Sequence, residues 1–427
     1  MRPNPPWLLA LLLWTTALNA SPLPEPLHLQ QALRLAAQTD HPELLKARAR
    51  LAAGLAQRDL AERANDLEAN LSAGLRLVDP ASRAADQTSN DSYLRLSVSK
   101  RLYDFGRQQA GQALAEAQIA GSQLHLLNAR QQRRLEVMQC FFAVLLADLR
   151  HERNSEAMAV AYVGLDKARS RQQQQQLSEL DLMRQEQAYQ LSQQHLKISD
   201  NARRRSRHRL ALALNRPGQL SARLEPGKLS GLRRAIPALE GLIEQALSDS
   251  PLLAALRSEI RQQRQRVKQV IAEQRPSISG SLGATAYARQ MGSYSPLTAE
   301  LTLQIPLFAG ARNRAEQAQA ESEVLLKSAE LKAAELELRH RLTQLWSELH
   351  DLQARRAALQ QAADYHELNL DRSRALYQME VSTDLGDAML RISQQRLDEA
   401  ELNYRAELVW AEIDALGGRL SKRNNPG

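Results

Sequence analysis

The positively charged side chains are densest in one short run, residues 203–209, which contains five arginines and one histidine. Arginine pairs well with phosphate groups, because its planar fork donates two parallel hydrogen bonds. The formal net charge of +8 would also suit nucleic acid or another anionic surface. However, the run contains no aromatic residue that could stack on bases, and charge runs are also typical of solvent-exposed helix faces. Both interpretations stay open on these residues, and we favour the exposed helix face.

Side chains that bind metal ions or act as nucleophiles form no recognisable motif. The nine histidines are scattered, without the His-Glu-x-x-His spacing of a zinc-binding helix. The one cysteine, Cys140, lies in the mostly apolar run 137–146 and is predicted to be a buried core residue. No set of nucleophile, base and orienting residue is visible along the chain. We therefore predict no metal ion, no cofactor and no enzymatic activity.

The first twenty residues have the features of a signal peptide. Arg2 gives a positive start, residues 7–14 form a short apolar run, and Ala20 is a small residue suited to cleavage. The apolar run is too short for a convincing membrane-spanning helix. Export is therefore predicted, and it argues against nucleic acid as a partner of the arginine run.

The structural elements of the chain occur twice. Four short segments recur in the same order about 200–210 residues apart, starting at residues 41 and 250, 72 and 281, 102 and 307, and 192 and 393. Four matches in one order indicate a tandem repeat. We divide the chain into a signal peptide (1–20), a first copy (21–216), a linker (217–237), a second copy (238–418) and a tail (419–427).

Each copy contains two segments in which apolar and polar residues alternate, as in β-strands with two unlike faces. These predicted strands cover about residues 69–78, 92–101, 277–287 and 297–305. One interpretation is a soluble sheet with one buried face. The other is part of a membrane barrel with its apolar residues facing lipid, which we favour because the polar face carries small residues and the chain is exported. Four strands are too few to close such a barrel, so oligomerisation would be required.

Aromatic residues are scarce, at 4% of the chain, which argues against an aromatic-lined enzyme pocket. Three of them, Tyr103, Phe105 and Phe308, lie just beyond predicted strands. Aromatic side chains are enriched where lipid meets water. We therefore predict that these three residues mark the membrane interface.

Very long helices are predicted after the strands. Residues 107–172 contain no proline, and residues 312–378 contain neither proline nor glycine. Helices of this size are about 100 Å long. Each is predicted to end at a polar turn and to be followed by a return helix, at about 179–214 and 384–416. Hairpins with alanine-rich seams of this kind need neighbours to pack against.

In these elements the chain resembles the TolC family of outer-membrane efflux proteins. The most specific matches are the segments LYDFGR (102–107) and PLFAGAR (306–312), each directly after an alternating strand. The resemblance covers nearly all of the chain after the signal peptide. It implies a mainly α fold with a β-barrel part: long helical hairpins form a periplasmic tunnel, and four transmembrane strands per chain close into one barrel as a trimer.

The function implied by the resemblance is a passive exit channel of a tripartite efflux pump or a type I secretion system. The implied partners are a homotrimer of this chain, a periplasmic membrane-fusion adaptor, an inner-membrane pump or ABC transporter, and outer-membrane lipid, but no nucleic acid. A soluble periplasmic coiled-coil adaptor is the alternative. That alternative leaves the two matched pairs of alternating strands unexplained.

By the same resemblance, the turns between long and return helices would contact the adaptor and close the tunnel. The corresponding residues are Leu177 and Ser178 in the first turn and Val381 and Ser382 in the second. Neither turn has the glycine of the family pattern. An acidic aperture could be lined by Glu179, Asp181, Asp384 and Asp387. Acidic residues at a helix start are equally well explained by the helix dipole.

Overall fold

The computed structural model describes residues 23–38, 41–83, 85–219, 222–289, 294–307, 311–379 and 385–420, so the predicted signal peptide lies outside it. The structure is mainly helical, as predicted. Its helices are α1 (Leu29–Gln38), α2 (Pro42–Glu62), α3 (Arg107–Gln173), α4 (Glu179–Ala213), α5 (Leu239–Asp249), α6 (Pro251–Ala272), α7 (Arg312–Gln378) and α8 (Leu385–Leu416). Its strands are β1 (Leu27–His28), β2 (Glu68–Gly74), β3 (Tyr93–Tyr103), β4 (Leu224–Glu225), β5 (Ser277–Tyr287) and β6 (Leu297–Gln304).

One predicted boundary of the first copy is wrong, and a second element, α2, ends before its sequence pattern does. The first alternating strand was expected to run to residue 78, but β2 ends at Gly74, and beyond it only an isolated bridge joins Leu77 to Asn90. Helix α2 ends at Glu62 because Arg63 leaves helical geometry, with φ −98° and ψ 9°. Alternation and helical pattern continue past both points in the sequence, so the pattern overestimates both elements.

Ser250 does not act as the N-cap that a serine before Pro251 leads one to expect. A serine before a helix-starting proline normally caps the helix with its hydroxyl group. Ser250 does precede Pro251 at the start of α6, but its side chain makes no capping hydrogen bond and is buried. Its backbone N–H instead ends α5 by donating to the Ala246 carbonyl at 2.9 Å. One residue thus joins two helices and is buried in doing so.

The chain divides into two compact units that do not follow the sequence repeat. The first unit takes residues up to 39, 137–228 and 365–397. The second unit takes residues 40–136, 229–364 and the residues from 398 onwards. Each unit therefore draws on both copies of the repeat.

The first unit contains a parallel strand pair that the sequence did not reveal. β1 pairs with β4, with Leu27 opposite Leu224, and both leucines are buried. The α3 portion of this unit buries Phe141 and Phe142, and the neighbouring Cys140 is buried as predicted. Two-residue strands carry too little pattern to be found from sequence.

The arginine run lies on α4 in the first unit and is largely engaged in ion pairs. Arg203 and Arg204 bond to Asp200 on the same helix at 2.8 and 3.0 Å. Arg207 forms a two-pronged pair with Asp148, which connects α4 to α3. These contacts fit the interpretation of the run as a helix face.

The second unit has a leucine-rich core centred on α7 and α8. Leu342, Leu345 and Trp410 are almost fully buried there. The Trp410 indole N–H donates to the Gly231 carbonyl at 2.9 Å, and the Arg234 guanidinium lies 3.9 Å from its ring centroid. Arg234 also pairs with the buried Asp414 at 3.0 Å. The segment before α5 is thereby fastened to α8.

Candidate functional site

The second unit contains a four-stranded antiparallel sheet in the order β2-β3-β5-β6. Residues 75–92 and 288–296 connect its strands at one end, which we call the loop end. Helices α2, α3, α6 and α7 join the strands at the opposite end, which we call the helix end. The sheet therefore separates connecting loops from all of the helices attached to it.

One face of the sheet is apolar and exposed. The register aligns Leu71 with Leu96, Ala284 and Leu297 across the four strands. Leu71, Leu297 and Leu301 expose 69%, 79% and 71% of their surface. A soluble sheet with one dry face requires these side chains to be covered, and among the described residues they are not.

The opposite face is polar. One row across the sheet is Ser72, Arg95 and Thr285, and the next is Asn70, Ser97, Gly283 and Thr298. A third row places Glu68, Ser99, Ser281 and Glu300 side by side. The alternation predicted from the sequence thus produces two continuous faces of opposite character.

The sheet has two open edges. β2 pairs only with β3, and β6 pairs only with β5, within the described part of the chain. An edge strand presents unpaired backbone N–H and C=O groups and readily pairs with another strand. Both edges are therefore available to another chain.

The LYDFGR segment forms the passage from β3 to α3. The Asp104 carboxylate accepts hydrogen bonds from the backbone N–H of Gly106 at 3.0 Å and of Gln108 at 2.7 Å. Partial burial would raise the pKa of Asp104, but these bonds and one from Asn65 hold its pKa below the usual range. Phe105 and Gly106 take left-handed φ values of 51° and 92°. The shape of the turn thus depends on the aspartate and the glycine.

Two arginines fasten this passage to the end of α6. The Arg107 guanidinium donates to the Glu273 carbonyl at 2.7 Å and to the Arg275 carbonyl at 3.2 Å. Arg275 donates in return to the Phe105 carbonyl at 2.8 Å. The first copy and the second copy are therefore connected directly at the helix end of the sheet.

The structure describes two of the three aromatic residues that are predicted to lie at the membrane interface. Tyr103 is the last residue of β3 rather than a residue beyond it, because the strand continues to 103. Its ring meets that of Phe105 edge to face, with centroids 4.6 Å apart, and both side chains are exposed. Phe308 lies outside the described residues. Their role at the interface stays a prediction.

The first helical turn region, residues 174–178, is built by capping interactions. Gln175 adopts φ 59°, and the Gln176 N–H donates to the Arg171 carbonyl at 2.8 Å, which is a Schellman ending of α3. Ser178 caps α4: its Oγ accepts from the Asp181 N–H at 3.1 Å and donates to the Asp181 carboxylate at 2.7 Å. Leu177 is half-buried and Glu179 is exposed. Ser178 and Asp181 thus have a structural role whatever else they contact.

The second helical turn region lies mostly outside the described residues, including Val381, Ser382 and Asp384. Asp387 is exposed in the first turn of α8. It lines a groove of about 650 Å³ in the first unit, together with Lys167 on α3 and Tyr377 on α7. Gly386 lies close to Val160, so that an added Cβ would be 3.0 Å from a Val160 methyl group. The structure therefore brings together Asp387 and the end of α7, and it does not test the proposed aperture.

No group of three or more histidine, cysteine or acidic side chains suited to a metal ion is found in the described ranges. Among the helices described, none has an apolar stretch of the length that crossing a membrane requires.

Residues 242–419 match the family model of the outer membrane efflux proteins. This part, which is less than half of the chain, is similar to that family. It contains both strands of the second copy and helices α6, α7 and α8. The resemblance suggested by the sequence is thereby confirmed. No sequence among the curated proteins matches the chain.

Solved structures with the same fold cover nearly the whole chain. The outer membrane protein VceC from Vibrio cholerae is 18% identical, with a TM-score of 0.68, over 92% of this chain and 96% of VceC. The CmeC outer membrane channel of Campylobacter jejuni is 13% identical, with a TM-score of 0.72, over 92% of this chain and 88% of CmeC. The MtrE outer membrane channel of Neisseria gonorrhoeae is 18% identical, with a TM-score of 0.63, over 92% of this chain and 89% of MtrE. At these identities the likeness shows a shared fold.

Proposed function

We propose that this chain is an outer-membrane exit channel, which passively conducts substrates delivered by an inner-membrane transporter. The observation that carries the proposal is the sheet with one exposed apolar face and one polar face. An exposed leucine face is favourable when it contacts lipid, because each Å² of apolar surface removed from water contributes about 25 cal/mol of transfer free energy. The polar face would then line a water-filled passage.

Three copies of the chain would supply twelve strands to one barrel. The two open edges support this arrangement, because β6 of one copy can pair with β2 of the next until the ring closes. All helices attached to the sheet leave from its helix end. Together with the predicted signal peptide, this arrangement supports a channel whose helices would lie in the periplasm and whose loop end would lie outside the cell.

The energy for transport would come from partners rather than from this chain. We propose that a periplasmic adaptor contacts the helical turns at Leu177, Ser178, Val381 and Ser382, and that a pump or an ABC transporter lies in the inner membrane. A soluble periplasmic adaptor is the weaker candidate, because it leaves the exposed leucine face without a partner. Efflux and type I secretion use the same kind of channel and differ in the transporter.

The two faces of the sheet provide a matched test. Leu96 lies on the apolar face at the centre of β3, and Ser97 lies beside it on the polar face. An arginine on the lipid face costs about 2–4 kcal/mol near the bilayer centre, whereas a lumen position tolerates it. We therefore expect Leu96→Arg to reduce the heat-resistant oligomer in outer-membrane fractions, and Ser97→Arg to leave it near the unaltered level.

Fractionation of the unaltered protein completes the test. The channel should stay in the outer membrane until detergent is added. It should also produce discrete conductance steps when it is reconstituted in planar lipid. Release of the protein by osmotic shock, together with equal behaviour of the two variants, would refute the proposal.

A further inference from the structure

The polar face of the sheet carries an arginine near the loop end. Arg95 lies in β3, between Ser72 of β2 and Thr285 of β5. Its Nε donates to the Thr285 hydroxyl group at 3.4 Å, and its guanidinium lies 5.2 Å from the centroid of the Tyr93 ring. In the part of the chain that the structure describes, no carboxylate pairs with Arg95. Its positive charge is therefore held by uncharged partners and stays uncompensated.

The ring that supports Arg95 is itself held in place. Tyr93 pairs with Gly74 in β2, and a Cβ at Gly74 would be only 2.5 Å from Cε1 of the tyrosine. The tyrosine ring thus lies across the bare glycine. A cation placed over an aromatic face gains about 0.5–2 kcal/mol, so this arrangement favours one position of the guanidinium.

The acidic residues of the polar face lie in a separate band. Glu68 and Glu300 share a row with Ser99, four residues along β3 from Arg95. Four residues of a strand span about 13 Å, which exceeds the Debye length at physiological salt. At the loop end, Arg76 is 3.5 Å from the Asp91 carboxylate and is neutralised by it. The loop-side half of the polar face therefore carries a net positive charge at Arg95.

We propose that Arg95 forms a cationic ring inside the barrel, near its outer mouth, that selects for anionic groups on the transported molecules. The inference rests on the proposed function, because a ring requires three copies around one closed lumen. Rings of charged side chains set the ion preference of pores, since low-dielectric walls focus their field. The substrates favoured by this ring carry carboxylate, phosphate or sulfonate groups.

The ring is tested by blocking the reconstituted channel with an anion added to one side of the membrane. Tripolyphosphate is added to the outer, loop-end side of full-length protein in planar lipid, and the concentration for half-maximal block is measured. We expect Arg95→Gln to raise this concentration about tenfold, and Arg95→Lys to keep most of the block because it keeps the charge. Arg101→Gln is the matched control, because Arg101 lies on the same face of the same strand at the helix end.

The ring also predicts a change of ion preference. In a potassium chloride gradient, the reversal potential of Arg95→Gln should shift towards potassium selectivity relative to the unaltered channel. Equal block and equal reversal potential in the two proteins would refute the ring while leaving the channel intact. Absence of any conductance in the unaltered protein would refute both the channel and the ring. If Arg95→Gln fails to insert, an unaltered channel that tripolyphosphate does not block from the outer side refutes the ring.

Discussion

Gln175 occupies a position at the end of α3 that normally favours glycine. Its φ of 59° is left-handed, which costs an L-residue with a Cβ about 1 kcal/mol. The Schellman hydrogen bonds from Gln175 and Gln176 hold it there. The pattern implied by the family resemblance has a glycine in this turn, whereas this chain has a residue with a Cβ at the left-handed position.

We expect Gln175→Gly to stabilise the first helical turn region by about 1 kcal/mol, because glycine adopts the left-handed conformation without strain. Trypsin cleavage after Arg171 needs local opening of this turn, so its rate should fall about fivefold. Gln174→Gly is the control, because Gln174 does not have a left-handed φ. A cleavage rate that does not change in Gln175→Gly, or that falls equally in both variants, would contradict the assignment of strain to Gln175.

The passage from β3 to α3 shows how an element boundary is set. Asp104 binds the first free N–H groups of the helix, Gly106 supplies a left-handed φ of 92°, and Arg107 reaches the end of α6. Along LYDFGR, Asp104 therefore caps the helix, Gly106 provides the left-handed backbone conformation, and Arg107 contacts the end of α6. Strand and helix are held together at the junction by these contacts of side chains with backbone groups.

Two glycines near this junction should respond in opposite directions. Gly106→Ala should destabilise the protein by about 1–2 kcal/mol, because alanine is strained at a left-handed φ and its Cβ would be 2.9 Å from the Arg275 guanidinium. Gly111→Ala should stabilise it by about 0.5–1 kcal/mol, because Gly111 lies inside α3 and a Cβ there meets Ala61 at an ordinary 3.7 Å. The midpoint of thermal unfolding, followed by circular dichroism, checks both signs. Equal shifts in the two variants would contradict this account.

The whole molecule is incomplete as a single chain. The sheet has two open edges, and its leucine face is exposed to solvent in the isolated chain. Exposed edges and apolar faces of this size are aggregation hazards unless they are covered. In the proposed channel, closure of a ring of copies would cover the edges, and lipid would cover the face.

Disulfide cross-linking tests the ring of copies. In a Cys140→Ser background, Asn70→Cys on β2 is combined in turn with Thr298→Cys, Glu300→Cys and Thr302→Cys on β6. All four residues lie on the polar face, so at least one pair should cross-link neighbouring chains up to a trimer on oxidation. Combining Asn70→Cys with Leu301→Cys gives the control, because Leu301 lies on the opposite face. Cross-linked trimers from the control pair alone would contradict the proposed pairing of edges.

The sequence predicted most of the elements because their patterns are long. Eleven residues of alternation mark β5, and 67 residues without a helix breaker mark α7. The β1–β4 pair was missed because two residues carry no periodicity. The left-handed Gln175 was missed because local backbone hydrogen bonds form the Schellman ending there without a glycine. The uncapped Ser250 was missed because burial of its side chain overrides its local preference for a cap. The position of the Tyr93 ring across Gly74 depends on strand register, which alternation alone does not specify.

The repeat in the sequence has a consequence for the order of folding. Although the chain consists of two similar copies, the first unit combines residues 137–228 with residues 365–397, and β1 pairs with β4, which lies in the linker between the copies. In the proposed export the N-terminus would emerge first, so Leu27 would cross the inner membrane about 200 residues ahead of Leu224. Neither unit is complete without residues of both copies. Translocation would therefore have to be nearly finished before either unit closes, and a fragment that ends in the linker would lack part of both.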